Sequence, residues 1–344
     1  MKPMITPTQL RVMAAASVMS CTLLFPTTLF AADKTIAELV DAVNGTPDET
    51  SREAGKLVKL RNHTKGFCTS GHFTPNPEIL KTLAIPFFEQ ASIKTTARFS
   101  LGGTNPNISD KTSGRFMSLK IDGASESLNF VTTNSPVFFA SDLDEFFAFQ
   151  TKIKQGPEGK KWLIDNQPHA KAFFDYVSGL SPSPSFANSR YFGVNSFLFN
   201  PANSGASAGS DGQPTQIAGK WIFEPTAGVA TLTDAQLASV GDDFLKEELL
   251  KRIRTEPARW DLYLQLADKG DNVDDPTVVW PDSRQRVLVG QVVINGERDD
   301  DAQVQACDKG IFNPLQLPNG ITASKDPILN ARTPAYIESF IRRQ

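Results

Sequence analysis

The sequence predicts an antiparallel α+β fold. Three observations carry this. Seven segments combine β-forming residues with polar–apolar alternation. Helical patterns fall between and after them without the regular strand–helix alternation of a parallel sheet. No stretch of linker composition divides the chain, so one domain is expected. Closing such a sheet into a barrel would remove its unpaired edges.

The chain opens with a segment that reads as an export signal, residues 1–31. Lys2 and Arg11 give it a positive start, and Val12 to Phe25 is apolar and uncharged. Leu29-Phe30-Ala31-Ala32 then supplies small residues for cleavage. Pro26 and the threonines after it leave too few consecutive apolar residues for a membrane span of about 20. Residues 32–344 are then expected to form the mature domain, located in the periplasm.

Ile36, Leu39, Val40 and Val43 recur at helical spacing within Asp33–Leu60, which predicts a helix and a second short one near Leu57. Ile93–Ser100, Arg115–Ile121 and Ser127–Thr133 read as strands, the last two separated by the Asp122-Gly123 turn. Helices are expected over Asp142–Lys154 and Glu158–Gly179, ended by Ser181-Pro182-Ser183-Pro184-Ser185. Strands return at Tyr191–Phe199, Gln216–Phe223, Arg259–Leu266 and Val287–Ile294, with a helix over Asp234–Arg254 among them. Asn203–Gly212 is a Ser/Gly/Ala loop. After Asp299-Asp300-Asp301 comes an irregular stretch, then a final helix over Asp326–Arg343.

Composition excludes several classes of function. Lys+Arg is 35 against Asp+Glu 38, a net charge of −3, which lacks the basic excess of a nucleic-acid binder. Three histidines and three cysteines are too few for a multi-zinc protein or a disulfide-dense scaffold. Export would leave Cys68 and Cys307, either bridged or as two separate buried thiols. Phe is abundant, 24 against 4 Tyr and 4 Trp, which suits a large aromatic core or an apolar pocket. There is no GxGxxG, Walker loop, HExxH or CxxC. The single GxSxG string, Gly205–Gly209, lies in the low-complexity loop instead of on a strand-to-helix turn.

Three sets of segments say more. One is Arg61-Asn62-His63-Thr64-Lys65-Gly66 with Gly71-His72-Phe73-Thr74. Another is Ala97-Arg98-Phe99-Ser100, Gly114-Arg115-Phe116 and Thr133-Asn134-Ser135-Pro136-Val137-Phe138-Phe139. The third is Arg332-Thr333-Pro334-Ala335-Tyr336, preceded by Phe312-Asn313-Pro314, Gly320-Ile321, Ser324 and Asp326. In this order, from about Leu57 to Arg343, the chain resembles haem catalases, most closely the short exported catalase-related peroxidases.

The resemblance implies a catalase-type antiparallel β-barrel with inserted and C-terminal helices, holding haem iron, of the b type. His63 would be the general base on the peroxide side, because an imidazole can take a proton from one oxygen and return it to the other near neutral pH. Asn134 would orient the peroxide, and Ser100 would support the imidazole. Tyr336 would ligate the iron, as in catalases. Arg332, four residues earlier on a helix, would favour its phenolate form. Arg98, Arg343 and Arg61 match positions that contact the haem propionates. Phe139 and Phe146 match aromatic positions around the haem. His72 is expected to be structural, His169 solvated, and Arg115 without a haem role. Pro334 leaves two readings of the last helix, one kinked and one restarting there.

The implied reaction is reduction of hydrogen peroxide, or of organic hydroperoxides, with oxidation of a small organic donor. Large catalases continue beyond the position of Arg343, so weak or no dismutation is expected, and no dinucleotide site. The oligomeric state stays open. The rival reading is a periplasmic haem-binding or carrier protein without turnover. It would need Tyr336 and the arginines but not His63 or Asn134.

Overall fold

The structure is a computed structural model and describes residues 34–45, 52–53, 56–57, 62–202, 216–297, 307 and 310–342. The export segment, Arg61, Arg343 and the Gly205–Gly209 string lie outside the described residues. The elements run in the order α1 (Ile36–Asn44), β1 (Arg52–Glu53), β2 (Lys56–Leu57), β3 (Gly66–Pro75), β4 (Ile93–Ser100), β5 (Phe116–Asp122) and β6 (Ser127–Thr133). Helices α2 (Leu143–Ile153), α3 (Pro157–Asn166) and α4 (Pro168–Ser178) follow. Then come β7 (Tyr191–Phe199), β8 (Ile217–Pro225), α5 (Asp234–Ser239), α6 (Phe244–Thr255), β9 (Ala258–Leu266) and β10 (Arg286–Glu297). The short β11 (Ile321–Ala323) leads into α7 (Pro327–Ile341). Among the described residues no helix is long and apolar enough to cross a membrane.

Eight strands, in the order β7-β6-β5-β4-β3-β10-β9-β8, close on themselves through β7–β8 pairing, and β11 adds to β7. All pairings are antiparallel. The expected barrel is therefore present. Its interior is aromatic: Phe99 packs on Trp260 and Phe186 with ring centroids 5.7 and 5.2 Å apart. Each such fully buried ring contributes roughly 1.5–3 kcal/mol.

On β4 the inward residues Ile93, Thr95, Ala97 and Phe99 alternate with outward ones. Lys94 is exposed, yet Thr96, Arg98 and Ser100 are buried. One end of the barrel's outer face is thus covered, and this is where the site lies.

Strand β3 was not expected from the sequence, because Gly66, Gly71 and Pro75 imitate loop composition. Gly71 instead answers a close approach: a Cβ there would lie 1.9 Å from the Val293 carbonyl oxygen. Two predicted helices are each divided. Pro168 at the first turn of α4 separates it from α3, and Val240 to Asp243 separates α5 from α6. Pro334 neither breaks nor restarts α7, which runs through it.

Cys68 and Cys307 form a disulfide with a Cα–Cα distance of 6.4 Å. The open question about the two cysteines is settled in favour of the bridge.

Candidate functional site

The loop before β3 and the loop after β4 pair backbone to backbone. Thr64 N donates to Gly103 O at 3.2 Å and Leu101 N to Lys65 O at 3.0 Å. This pairing presents His63. Its Nδ1 lies 3.0 Å from the Leu101 carbonyl oxygen. A carbonyl only accepts, so Nδ1 carries the proton and Nε2 is left as the basic nitrogen. The ring packs edge-on against Phe116 at 4.3 Å. Neither Leu101 nor Phe116 was singled out in the sequence: a backbone carbonyl leaves no residue signature, and a phenylalanine in a strand reads as core. Ser100, the expected support, is buried one residue before Leu101.

Two cations, Lys65 half-buried and Arg115 fully buried, stiffen this region. Lys65 Nζ sits 2.8 Å from Asp110 and 2.7 Å from the Ile108 carbonyl. Arg115, fully buried, donates to the Asp110 carbonyl at 3.0 Å and to Ser183 Oγ at 3.1 Å, and also to the Thr112 carbonyl. Burial lowers its pKa to about 10, opposed by Tyr191 and Asp110. Its role is to tie loops together.

Asn134 lies at the end of β6. Its Oδ1 accepts from Arg115 N at 2.9 Å and its Nδ2 donates to the Ser113 carbonyl at 2.8 Å. Half of its hydrogen-bonding capacity thus shapes the loop. An amide carries two N–H donors, and the second is the one suited to a ligand.

Arg98 projects from β4 onto the covered outer face, beside Cys68 of β3 and Ser118 of β5. Gly66 makes room for it: a Cβ there would lie 2.8 Å from the guanidinium carbon. Phe139 and Phe146 stack at 5.5 Å within a cluster of rings over α2–α4, where Phe139 also lies 3.9 Å from Phe149. His72 lies half-buried on the outer sheet face. His169 is not simply solvated: its Nδ1 lies 2.8 Å from Glu145. Burial would raise the Glu145 carboxyl, but bonds from Ser141 and His169 outweigh it and hold it below its ordinary value.

Helix α7 carries the other half of the site. Asp326 caps it, its Oδ1 accepting from Ile328 N at 2.8 Å and Leu329 N at 3.2 Å. Arg332 Nη1 donates to Tyr336 Oη at 2.9 Å, so the four-residue contact survives Pro334. Arg332 Nη2 reaches Asn195 Oδ1 at 3.3 Å, and Asn195 Nδ2 donates to Asp326 Oδ2 at 2.6 Å. Asn195 sits where the β7–β8 register shifts, between Phe192 and Ser196. Such irregularities re-aim side chains. Asn313, from the irregular stretch, donates to Thr333 Oγ1 at 3.0 Å.

The donor set fits a haem. A phenol oxygen is held by a guanidinium, and an imidazole with a basic Nε2 stands on a loop linked through Asn44 to Ser339 of the same helix. Arg332 Nε is buried without a partner among the described residues, and Arg98 places a buried cation on the sheet. Tyr336 would ligate the iron and Arg98 would meet a propionate.

Comparison with known proteins gives the family and the fold. The family model described as Catalase matches residues 54–344. A catalase-related peroxidase from Synechococcus elongatus is 32% identical over 293 residues, covering 82% of this chain and 83% of the relative. One from Mycolicibacterium paratuberculosis is 28% identical over 309 residues, covering 88% and 92%. In fold, the chain superposes on catalase A of Saccharomyces cerevisiae with a TM-score of 0.70 at 19% identity. That match covers 82% of this chain and 60% of the yeast protein, so the chain spans about three-fifths of that catalase's length.

Proposed function

The chain belongs to the catalase family, an assignment that makes it an oxidoreductase acting on peroxide, and we propose that it works as a haem-dependent peroxidase. In this reading it reduces hydrogen peroxide or organic hydroperoxides, oxidises small organic donors, dismutates peroxide weakly or not at all, and acts in the periplasm. The observation that carries the reading is the pairing of a Tyr–Arg contact on α7 with an imidazole whose Nδ1 is committed to a carbonyl.

When bound, haem supplies the electrons that reduce the O–O bond and recovers them from the donor. The protein's residues handle position and protons. Tyr336 would hold the iron, and the Arg332 guanidinium 2.9 Å away stabilises negative charge on the phenol oxygen. Arg332 is itself braced by Asn195, and through it by Asp326. The Leu101 carbonyl fixes the tautomer of His63. His63 Nε2 takes the proton from one peroxide oxygen and delivers it to the other as the bond between them breaks. The edge contact with Phe116 limits rotation of the ring. The second amide hydrogen of Asn134 orients the peroxide.

The test is His63→Ala in the haem-loaded protein, followed by visible absorption after a small dose of peroxide. The expected result is an unchanged resting spectrum with peroxide reactivity lowered by about 10²–10⁴. A variant as reactive as the native protein would refute the reading. A native protein that takes up haem and never reacts with peroxide would favour the carrier.

A further inference from the structure

We propose that Asn44 is a positioning residue: its carboxamide couples the loop that carries His63 to the helix that carries Tyr336. The inference rests on the peroxidase reading in taking His63 as the base on the peroxide side.

It begins with the backbone of His63. Among the described residues this is the one non-glycine with a positive φ, 56°. A side chain in the left-handed region is strained and persists where its surroundings hold it. Here the holding group is Asn62, whose Oδ1 accepts from His63 N at 2.9 Å and from Gly103 N at 3.0 Å. One carboxamide oxygen thus sets both His63 and the facing loop.

Asn62 is held in turn by Asn44. Asn62 N donates to Asn44 Oδ1 at 3.0 Å, and Asn44 Nδ2 donates to Ser339 Oγ at 2.8 Å. Ser339 lies on α7, three residues after Tyr336. The route from one half of the site to the other therefore runs Ser339–Asn44–Asn62–His63, with no other side chain in it.

The position of Asn44 supports this role. It is the last residue of α1, where an asparagine ordinarily faces water, yet it is only 8% exposed. The turn that carries it is clamped from two further elements. Arg342, just past α7, meets Asp41. Lys154, just past α2, donates to the Ala42 carbonyl at 2.5 Å, at the helix end where a cation is favourable. An amide presents a donor and an acceptor to opposite sides, as the two neighbours require. Hydrogen bonds to the His63 loop and to the helix that carries Tyr336 make this more than a helix cap.

The experiment measures cyanide association with the haem-loaded ferric protein by the shift of its visible absorption. Hydrogen cyanide sheds its proton as it binds, so the rate reports the base without any turnover. Asn44→Ala and Asn44→Asp are made in the native protein and in a His63→Ala background. Asn44→Ala is expected to slow association about five- to tenfold, the worth of one or two hydrogen bonds. Asn44→Asp, which still accepts from Asn62 N and from the Ser339 hydroxyl, should restore most of the rate. In the His63→Ala background Asn44→Ala should have no further effect, the coupling expected of residues acting through one another. An equal slowing in both backgrounds, or none in either, overturns the proposal. If Asn44→Ala does not load haem, Ser339→Ala is put through the same cycle and decides on the same criteria. A native protein that binds cyanide through His63 and Asn44 but never reduces peroxide would defeat the peroxidase reading and leave the coupling in place.

Discussion

Removing the Cys68–Cys307 bridge by Cys307→Ser should cost global stability and loosen the haem site together. The bridge joins residues 239 apart in sequence. Loop-closure arithmetic at that length gives about 5 kcal/mol of stabilisation, with measured bridges usually contributing less. For a chain of this size, one kcal/mol moves the melting temperature by about 2 °C, so the variant should melt roughly 5–10 °C lower. The local effect follows from register. Cys68 pairs across the strands with Arg98, and both lie on the covered outer face. Loss of the staple should therefore speed haem release to an excess of apomyoglobin. Calorimetry gives the first quantity and transfer kinetics the second. Melting within about 1 °C of the native protein would refute the loop argument. Alkylation of Cys68 or Cys307 in denatured, unreduced protein would refute the bridge itself.

Three further outcomes follow from the geometry. Gly66→Ala would drive a methyl group to 2.8 Å from the Arg98 guanidinium and 2.7 Å from the Phe99 carbonyl. It should lower stability by roughly 1–3 kcal/mol and weaken haem retention, checked by denaturant titration and the same transfer assay. Arg332→Gln removes a charged hydrogen bond to Tyr336 worth about 1.5–3 kcal/mol, so the dissociation constant for haem should rise about ten- to a hundredfold in a haem titration. Burial lowers the Lys220 ammonium to about 8 against 10.5 unfolded, with Asp326, Asp275 and Asp271 opposing. The unfolded state then binds more protons between those values, so stability should rise with pH across that window by up to about 3 kcal/mol from this group. Lys220→Met should flatten that slope in melts taken at several pH values.

Strands that alternate cleanly were readable in the sequence to their ends, as Ile93–Ser100 and Ser127–Thr133 show. Strand β3 was not. Its glycines answer a neighbouring backbone that lies far away along the chain, and the same residues mark turns elsewhere. The site divides in the same way. Arg332 and Tyr336 stand one helical turn apart, so their contact could be expected from spacing. Asn195 reaches Asp326 and Arg332 across 131 and 137 residues, and Asn44 reaches Ser339 across 295. Asparagine has no charge and follows no period, and its partners are set by how the barrel closes. Phe139 and Phe146 were legible as aromatic but not as members of the helical cluster, because a ring carries no mark of the layer it joins.

The two halves of the site come from opposite ends of the fold: His63 precedes the first barrel strand, and Tyr336 lies on the last helix. A growing chain can pair β3 with β4, and β4 with β5, early, since these strands are neighbours in sequence. On the peroxidase reading it cannot offer the Tyr336 phenol until α7 has been made. Haem capture would then follow the synthesis of every barrel strand. In that reading a chain truncated before α7 would lack Tyr336, so bound haem would double as a report that translation had reached this helix.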